Sequence, residues 1–204
     1  METKDRVLQG AEELFFKYGI KSVTMDDIAK HLSISKKTIY QFYSDKNEIV
    51  DTLMKLKLEE DKLAAQQIHA SSENVVVEVF ALMKHISQMI SKLNPNVFYD
   101  LQKYHPQTWK LFAEFKEYCI ENLVEKAIKK GISDGLVRND FNAKIIARLR
   151  MEEIQWGFDP AIFAPDKFKM VDVQLELLDH FLHGICTLKG HKLINKYKQV
   201  TEEE

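Results

Sequence analysis

The sequence predicts an all-α protein: an N-terminal three-helix head joined by a long helix to a larger helical bundle. Three observations predict it. Apolar residues recur at steps of three and four along nearly the whole chain, the period of a helix with one buried face. Only 7 Gly and 4 Pro occur in 204 residues, too few for a turn-rich β protein. The one run that could make a strand, Val75-Val76-Val77, is embedded in a helical period.

The head comes first. Val7, Leu8, Ala11, Leu14, Phe15 and Tyr18 form one stripe, which predicts a helix over 3–18. Gly19 follows, where a left-handed cap favours a residue without Cβ. Thr24 is the predicted cap of a second helix, and Asp26 and Asp27 suit the positive end of its dipole. Ile28, Ala29 and Leu32 are its apolar face, and Leu32-Ser33-Ile34-Ser35 then breaks the pattern. Ser35 caps a third short helix over 36–43, with Ile39 and Tyr43 four apart on its inner side. Ser44-Asp45 opens a fourth, long helix at Lys46, whose stripe is Ile49, Leu53, Leu56 and Leu63.

The body follows with the same period. A helix over 73–93 stops at Asn94-Pro95. His105-Pro106 marks another boundary, because the residue before proline avoids the helical region. A long helix is predicted over 106–130, a turn segment over 131–142, and a helix over 142–156. Gly157-Phe158-Asp159-Pro160 and Pro165 frame a loop, and helices over 167–189 and 191–199 close the chain. The domain boundary falls near residue 50, giving a head of 1–50 and a body of 51–204.

The formal net charge is −2, from 29 Lys and Arg against 31 Asp and Glu. That excludes a uniformly basic nucleic-acid binder but leaves room for a local patch. One exists: from Lys30 to Lys46, four lysines and His31 face Asp45 alone. Two cysteines, Cys119 and Cys186, make no disulfide framework and suit a reducing compartment. No apolar run reaches the roughly 18 residues of a membrane span, and the first six residues lack a signal-peptide layout. The expected location is the cytoplasm, with no membrane partner.

A short helix, a tight turn and a second short helix with basic and hydroxyl residues at its start make a helix-turn-helix, here about 25–44. The major groove admits one helix, and the N-terminal residues of that helix reach the base edges. Ser35, Lys36, Lys37 and Thr38 occupy that N-terminus, and Tyr40 and Gln41 lie on the outward face. Gln can pair with adenine and Lys with guanine. Thr24 and Lys46 stand at neighbouring helix starts, where backbone amides favour a phosphate. Double-stranded DNA is the predicted partner.

The strings Thr24-Met25-Asp26-Asp27-Ile28-Ala29 and Ile34-Ser35-Lys36-Lys37-Thr38-Ile39-Tyr40-Gln41-Phe42-Tyr43-Ser44-Asp45-Lys46-Asn47-Glu48-Ile49-Val50 resemble the N-terminal domain of the TetR family of bacterial transcriptional regulators. The family pattern runs T-x-x-x-I-A, a G-V-S turn, then T-[LI]-Y-x-x-F-x-x-K-x-x-L. Three positions depart from it. Ser33 stands where the turn has Gly, Phe42 where His or Tyr is common, and Tyr43 where Phe is usual. The resemblance implies a homodimer whose C-terminal helices pair in a four-helix bundle. It implies middle helices around a small-molecule pocket, and a ligand that moves the heads apart and lifts repression.

On that reading, aromatic residues around the helix break are pocket candidates: Phe98, Tyr99, Tyr104, His105, Trp109 and Phe112, with Met151 and Trp156 from the later helix. Such a lining favours an apolar or amphipathic effector. Leu175, Leu178, Leu182 and Ile185 run at helical spacing and are the expected dimer face.

Other chemistry is weaker. His180, His183 and Cys186 are spaced by three, and such steps drift about 60° each around a helix, so three ligands converge poorly and no metal is expected. H-E-x-x-H, G-x-S-x-G, a Walker lysine loop and a dinucleotide glycine fingerprint are all missing. Cys119 reads as a buried thiol. Neither catalysis nor a cofactor is expected. The competing reading is a helical dimer serving as a protein-interaction module with weak or no specific DNA binding.

Overall fold

The structure, a computed structural model, describes residues 2–199. Eleven α-helices are found among them: α1 (Thr3–Tyr18), α2 (Met25–Leu32), α3 (Lys36–Tyr40), α4 (Lys46–Ser71), α5 (Val75–Ile90), α6 (Asn96–Tyr104), α7 (Pro106–Cys119), α8 (Glu125–Ser133), α9 (Ala143–Trp156), α10 (Met170–Ile185) and α11 (Leu188–Lys198). Among the described residues the only β pairing is an isolated antiparallel bridge between Val137 and Cys186. The all-α prediction holds, and no helix of the described residues is long and apolar enough to cross a membrane.

The head elements sit close to their predicted bounds because their signals are local. Thr24 makes a capping box with Asp27, each side chain bonded to the other's backbone N–H. Ser35 caps α3 by accepting from the Thr38 N–H at 3.0 Å. Two details differ. Gly19 has φ 83 and ψ 155, an extended mirror-image conformation rather than the predicted left-handed cap, and one essentially confined to glycine. Helix α3 ends at Tyr40, three residues early, and the chain turns through Gln41 and Phe42, with the Tyr43 N–H donating to Ile39 at 3.1 Å.

Helix α4 corrects the predicted stripe. At its start the head covers both sides and buries Ile49, Val50 and Leu53. Further along only the side bearing Met54, Leu58 and Ala65 is buried, while Leu56 and Leu63 are each 50% exposed. At 100° per residue those two fall roughly opposite the covered side.

The stretch predicted as one helix over 106–130 is two helices joined by a π-helical turn, Ile120–Val124. Helix α6 occupies ground read only as a break; its N–H groups start against Asn94, whose side chain accepts from the Asn96 N–H at 2.9 Å.

Two cores result. The first joins α1–α4 and continues into α6 through Val97 and Leu101. The second packs α5 and α8–α11. The head therefore has no closed core of its own before residue 50.

The second core overturns most of the expected dimer face. Leu178, Leu182 and Ile185 are 4%, 1% and 5% exposed and pack inside the same chain. Helix α10 needs that face for its own bundle; only Leu175 remains outside, 46% exposed.

Candidate nucleic-acid interface

Helix α3 is held from beneath and bare above. Its inner residue Ile39 is fully buried, and Tyr43 follows at 2% exposure. The Lys4 ammonium lies 5.7 Å from the centre of the Tyr43 ring. Lys36, Lys37, Tyr40 and Gln41 are exposed on the other side. Lys37 makes no hydrogen bond or ion pair among the described residues, so its charge is free for an external anion.

Lys36 is not equally free. Its ammonium donates to Asp26 at 2.9 Å, which holds the lysine above its ordinary value. An arriving phosphate must displace that carboxylate. Ser35 and Thr38 share a hydrogen bond of 2.8 Å between their hydroxyls. Thr24 donates its hydroxyl to Asp27 at 2.6 Å. Thr24 and Ser35 are therefore occupied caps, and the Thr38 hydroxyl is bonded to one of them; both of these hydroxyl bonds lie at the surface.

Lys46 departs from its expected role. It is partly buried, and its ammonium donates to the carbonyls of Ile20 at 2.9 Å and Val23 at 2.8 Å. Burial pulls its pKa down. The side chain points into the head and ties α4 to the loop after α1, rather than standing out toward a phosphate. The family-like spacing located the residue; the two carbonyls 26 and 23 positions away had no local signal.

Ser33 takes φ 54 and ψ 41, left-handed. A non-glycine residue there costs about 1–2 kcal/mol, so the departure from Gly is a strained position. Carboxylates brace the helix starts on either side of the motif, at α2 and at α4. The Thr24 side chain and backbone hold Asp27 below the usual carboxylate range. Glu48 accepts from the Ser44 N–H at 2.6 Å and hydroxyl at 2.8 Å, and these bonds lower it too.

Behind the head runs a polar seam to the body that sequence reasoning missed. The Asn94 N–H donates to Phe16 at 2.7 Å, and its side-chain amide to Lys17 at 3.2 Å. Asp100, buried, accepts from the Lys21 N–H at 2.8 Å. The Thr108 hydroxyl makes a very short bond to Asp51. His105, buried nearby, is pushed down by burial and by the Lys46 charge, against the pull of Asp51 and Asp100.

The eight pocket candidates do not surround one cavity. Phe98 stacks on Phe158 at 4.2 Å and meets Phe112 edge-on at 5.6 Å, and Trp109 stacks on Phe112 at 5.7 Å; these fill a packed junction. Tyr99 and Tyr104 are each 38% exposed and meet Lys103 and Lys21 at the surface. Trp156 is half exposed, His105 belongs to the seam, and Met151 packs between cores. An apolar cleft lies instead between Pro95 and the 157–173 segment. Its volume is about 190 Å³, and Phe158, Phe163, Phe168 and Val173 line it with Lys169. A second of about 250 Å³ lies between Leu58 of α4 and Phe115 of α7. None of the eight lines either.

The remaining sequence candidates are structural. Cys119 and Cys186 are buried, and burial pushes their thiols up to about 12 and about 11. His183 is exposed and bonds the Asp179 carbonyl at 2.9 Å, away from buried Cys186.

A capped, outward-facing second helix on a compact helical head defines a helix-turn-helix DNA-binding protein. Residues 7–53 match the model of bacterial regulatory proteins of the tetR family. Over those residues the chain is similar to the DNA-binding N-terminal domain of that family. It is 26% identical over 167 residues to YvaF, an uncharacterized HTH-type transcriptional regulator of Bacillus subtilis (strain 168), covering 80% of this chain and 86% of that one. Its fold resembles a TetR-family transcriptional regulator from Agrobacterium tumefaciens, with TM-score 0.73, 15% identity, and 90% and 97% of the two chains covered. It also resembles SmeT, the repressor of the Stenotrophomonas maltophilia multidrug efflux pump SmeDEF, with TM-score 0.63, 15% identity and 92% of each chain covered.

Proposed function

We propose that the protein is a dimeric, ligand-responsive transcriptional repressor of the cytoplasm that places α3 in the major groove of an inverted-repeat operator. The observation that carries the reading is the bare face of α3, where Lys37, Tyr40 and Gln41 stand exposed above a buried Ile39. Lys37 and Gln41 supply base contacts. Tyr40, Thr24, Ser35 and Thr38 supply the backbone contacts that fix register, with Lys36 once Asp26 lets go.

Repression follows the example of SmeT, which shares the fold. Dimerisation is assigned to Leu175 and to a row on α9, Ile145, Leu149 and Trp156, which are 64%, 40% and 44% exposed. These α9 residues are spaced by four and seven, one side of a helix, and an exposed apolar row is the kind of surface a second copy covers. Two-fold symmetry then demands a two-fold operator.

Selection of sites from a random duplex library, followed by a salt titration on the winner, tests this. The expected result is an enriched inverted repeat bound orders of magnitude above random duplex. Enrichment of nothing, with weak binding erased by salt, would sink it and favour a protein-interaction module.

A further inference from the structure

The cleft beside Pro95 has a size, a charge and a position that together define a ligand. Its volume is about 190 Å³. A cavity of about 150 Å³ lined by apolar side chains takes benzene, so one substituted ring fits and a drug-sized molecule does not. Phe158, Phe163, Phe168 and Val173 offer apolar and aromatic faces, and Lys169 is the one charged residue on the wall. A single cation without a carboxylate beside it selects an anion.

The position links this cleft to the head. Pro95 forms one wall. The adjacent Asn94 holds the end of α1 through its bonds to Phe16 and Lys17. Phe158, which also lines the cleft, stacks on Phe98 of α6 at 4.2 Å. Two positions on, Asp100 of the same helix accepts from Lys21. A ring held in the cleft therefore lies against residues next to two of the fastenings of the head, Asn94 and Asp100.

We propose that this cleft is the effector site, that it takes a small monocyclic aromatic carboxylate, and that Asn94 passes its occupancy to α1. The proposal rests on the reading of the chain as a ligand-responsive DNA binder and names the ligand class and site.

Calorimetry on the full chain with phenylacetate, neutral phenylacetamide and cationic phenethylamine tests the cleft. Phenylacetate is expected to bind, the amide at least about fivefold more weakly, and the amine not at all. Lys169→Met should erase the preference for phenylacetate over the amide, and Met170→Trp, at another lining residue, should fill the cleft and abolish binding of both. No binding at about 10 mM, equal affinity for acid and amide, or binding unaffected by Met170→Trp overturns the site. A change from dimer to monomer caused by Met170→Trp in sedimentation would give this face to a second copy and also overturn it.

Anisotropy on the selected operator tests the coupling. Phenylacetate should weaken wild-type DNA binding. Asn94→Asp keeps the acceptor for Asn96 but loses the donor to Lys17, so it should bind phenylacetate within about twofold of wild type while losing most of that release. Full release in Asn94→Asp would overturn the role of Asn94. If the protein binds no duplex at all, the regulator reading fails, while the calorimetry still decides the cleft.

Discussion

At the scale of single residues, Lys46 and His105 carry the clearest expectations. Lys46→Met leaves the Ile20 and Val23 carbonyls without their donor. An unmet buried acceptor costs about 1–3 kcal/mol, so the melting temperature should fall. The slope of DNA affinity against salt should stay unchanged; a slope reduced by about one would restore Lys46 to the phosphates. Lys37→Ala is the counterpart: it should leave stability unchanged and relax base preference in the same selection. His105 is held below its ordinary value, so its neutral form favours the fold. That contribution is complete above about pH 6.5 and declines as pH falls through the ordinary range toward the depressed value. His105→Gln should flatten the loss of thermal stability between about pH 7 and pH 5, measured by calorimetric melting. Lys46 also marks the limit of reading by spacing. Its place at a helix start is a local fact, whereas the direction of its side chain depends on carbonyls more than 20 residues away.

At the scale of elements, the turn between α2 and α3 is the strained joint. Ser33→Gly removes a left-handed cost of about 1–2 kcal/mol and adds about 0.5–1 kcal/mol of chain entropy. The expected net gain is on the order of 0.5–1 kcal/mol, read as a higher denaturant midpoint; a lower midpoint would refute the strain. Gly157 lies at another tight joint, because a Cβ there would run into the amide of Gln174. Gln174 is 1% exposed and donates to the Ile154 carbonyl at 2.8 Å. Gly157→Ala should therefore destabilise the α9–α10 corner, seen as faster amide exchange in α10.

The helix starts were legible because caps are short-range chemistry: Thr24, Ser35, Asp45 and Asn142 each bond an N–H two or three residues on. The π turn was not legible, since Ile120–Val124 continues the apolar period of its neighbours. Nor was the face of α10, because the leucine spacing that suits a dimer seam equally suits the core that receives Leu178 and Leu182.

At the scale of the whole molecule, the exposed row on α9 predicts the assembly. Ile145→Glu should shift the dimer toward monomer in sedimentation and weaken operator binding with it; a stable dimer would place the two-fold elsewhere. The overall architecture was readable from periodicity, yet the relation of head to body was not, because it rests on pairs such as Lys21 with Asp100, 79 residues apart. The shared first core has a consequence for protein engineering. Val97 and Leu101 of α6 are 2% and 0% exposed among head side chains. A reading head transplanted at residue 50 onto a foreign body would arrive with a gap where α6 belongs. On the proposed reading, DNA specificity would be changed by redrawing the outer face of α3, and not by trading modules.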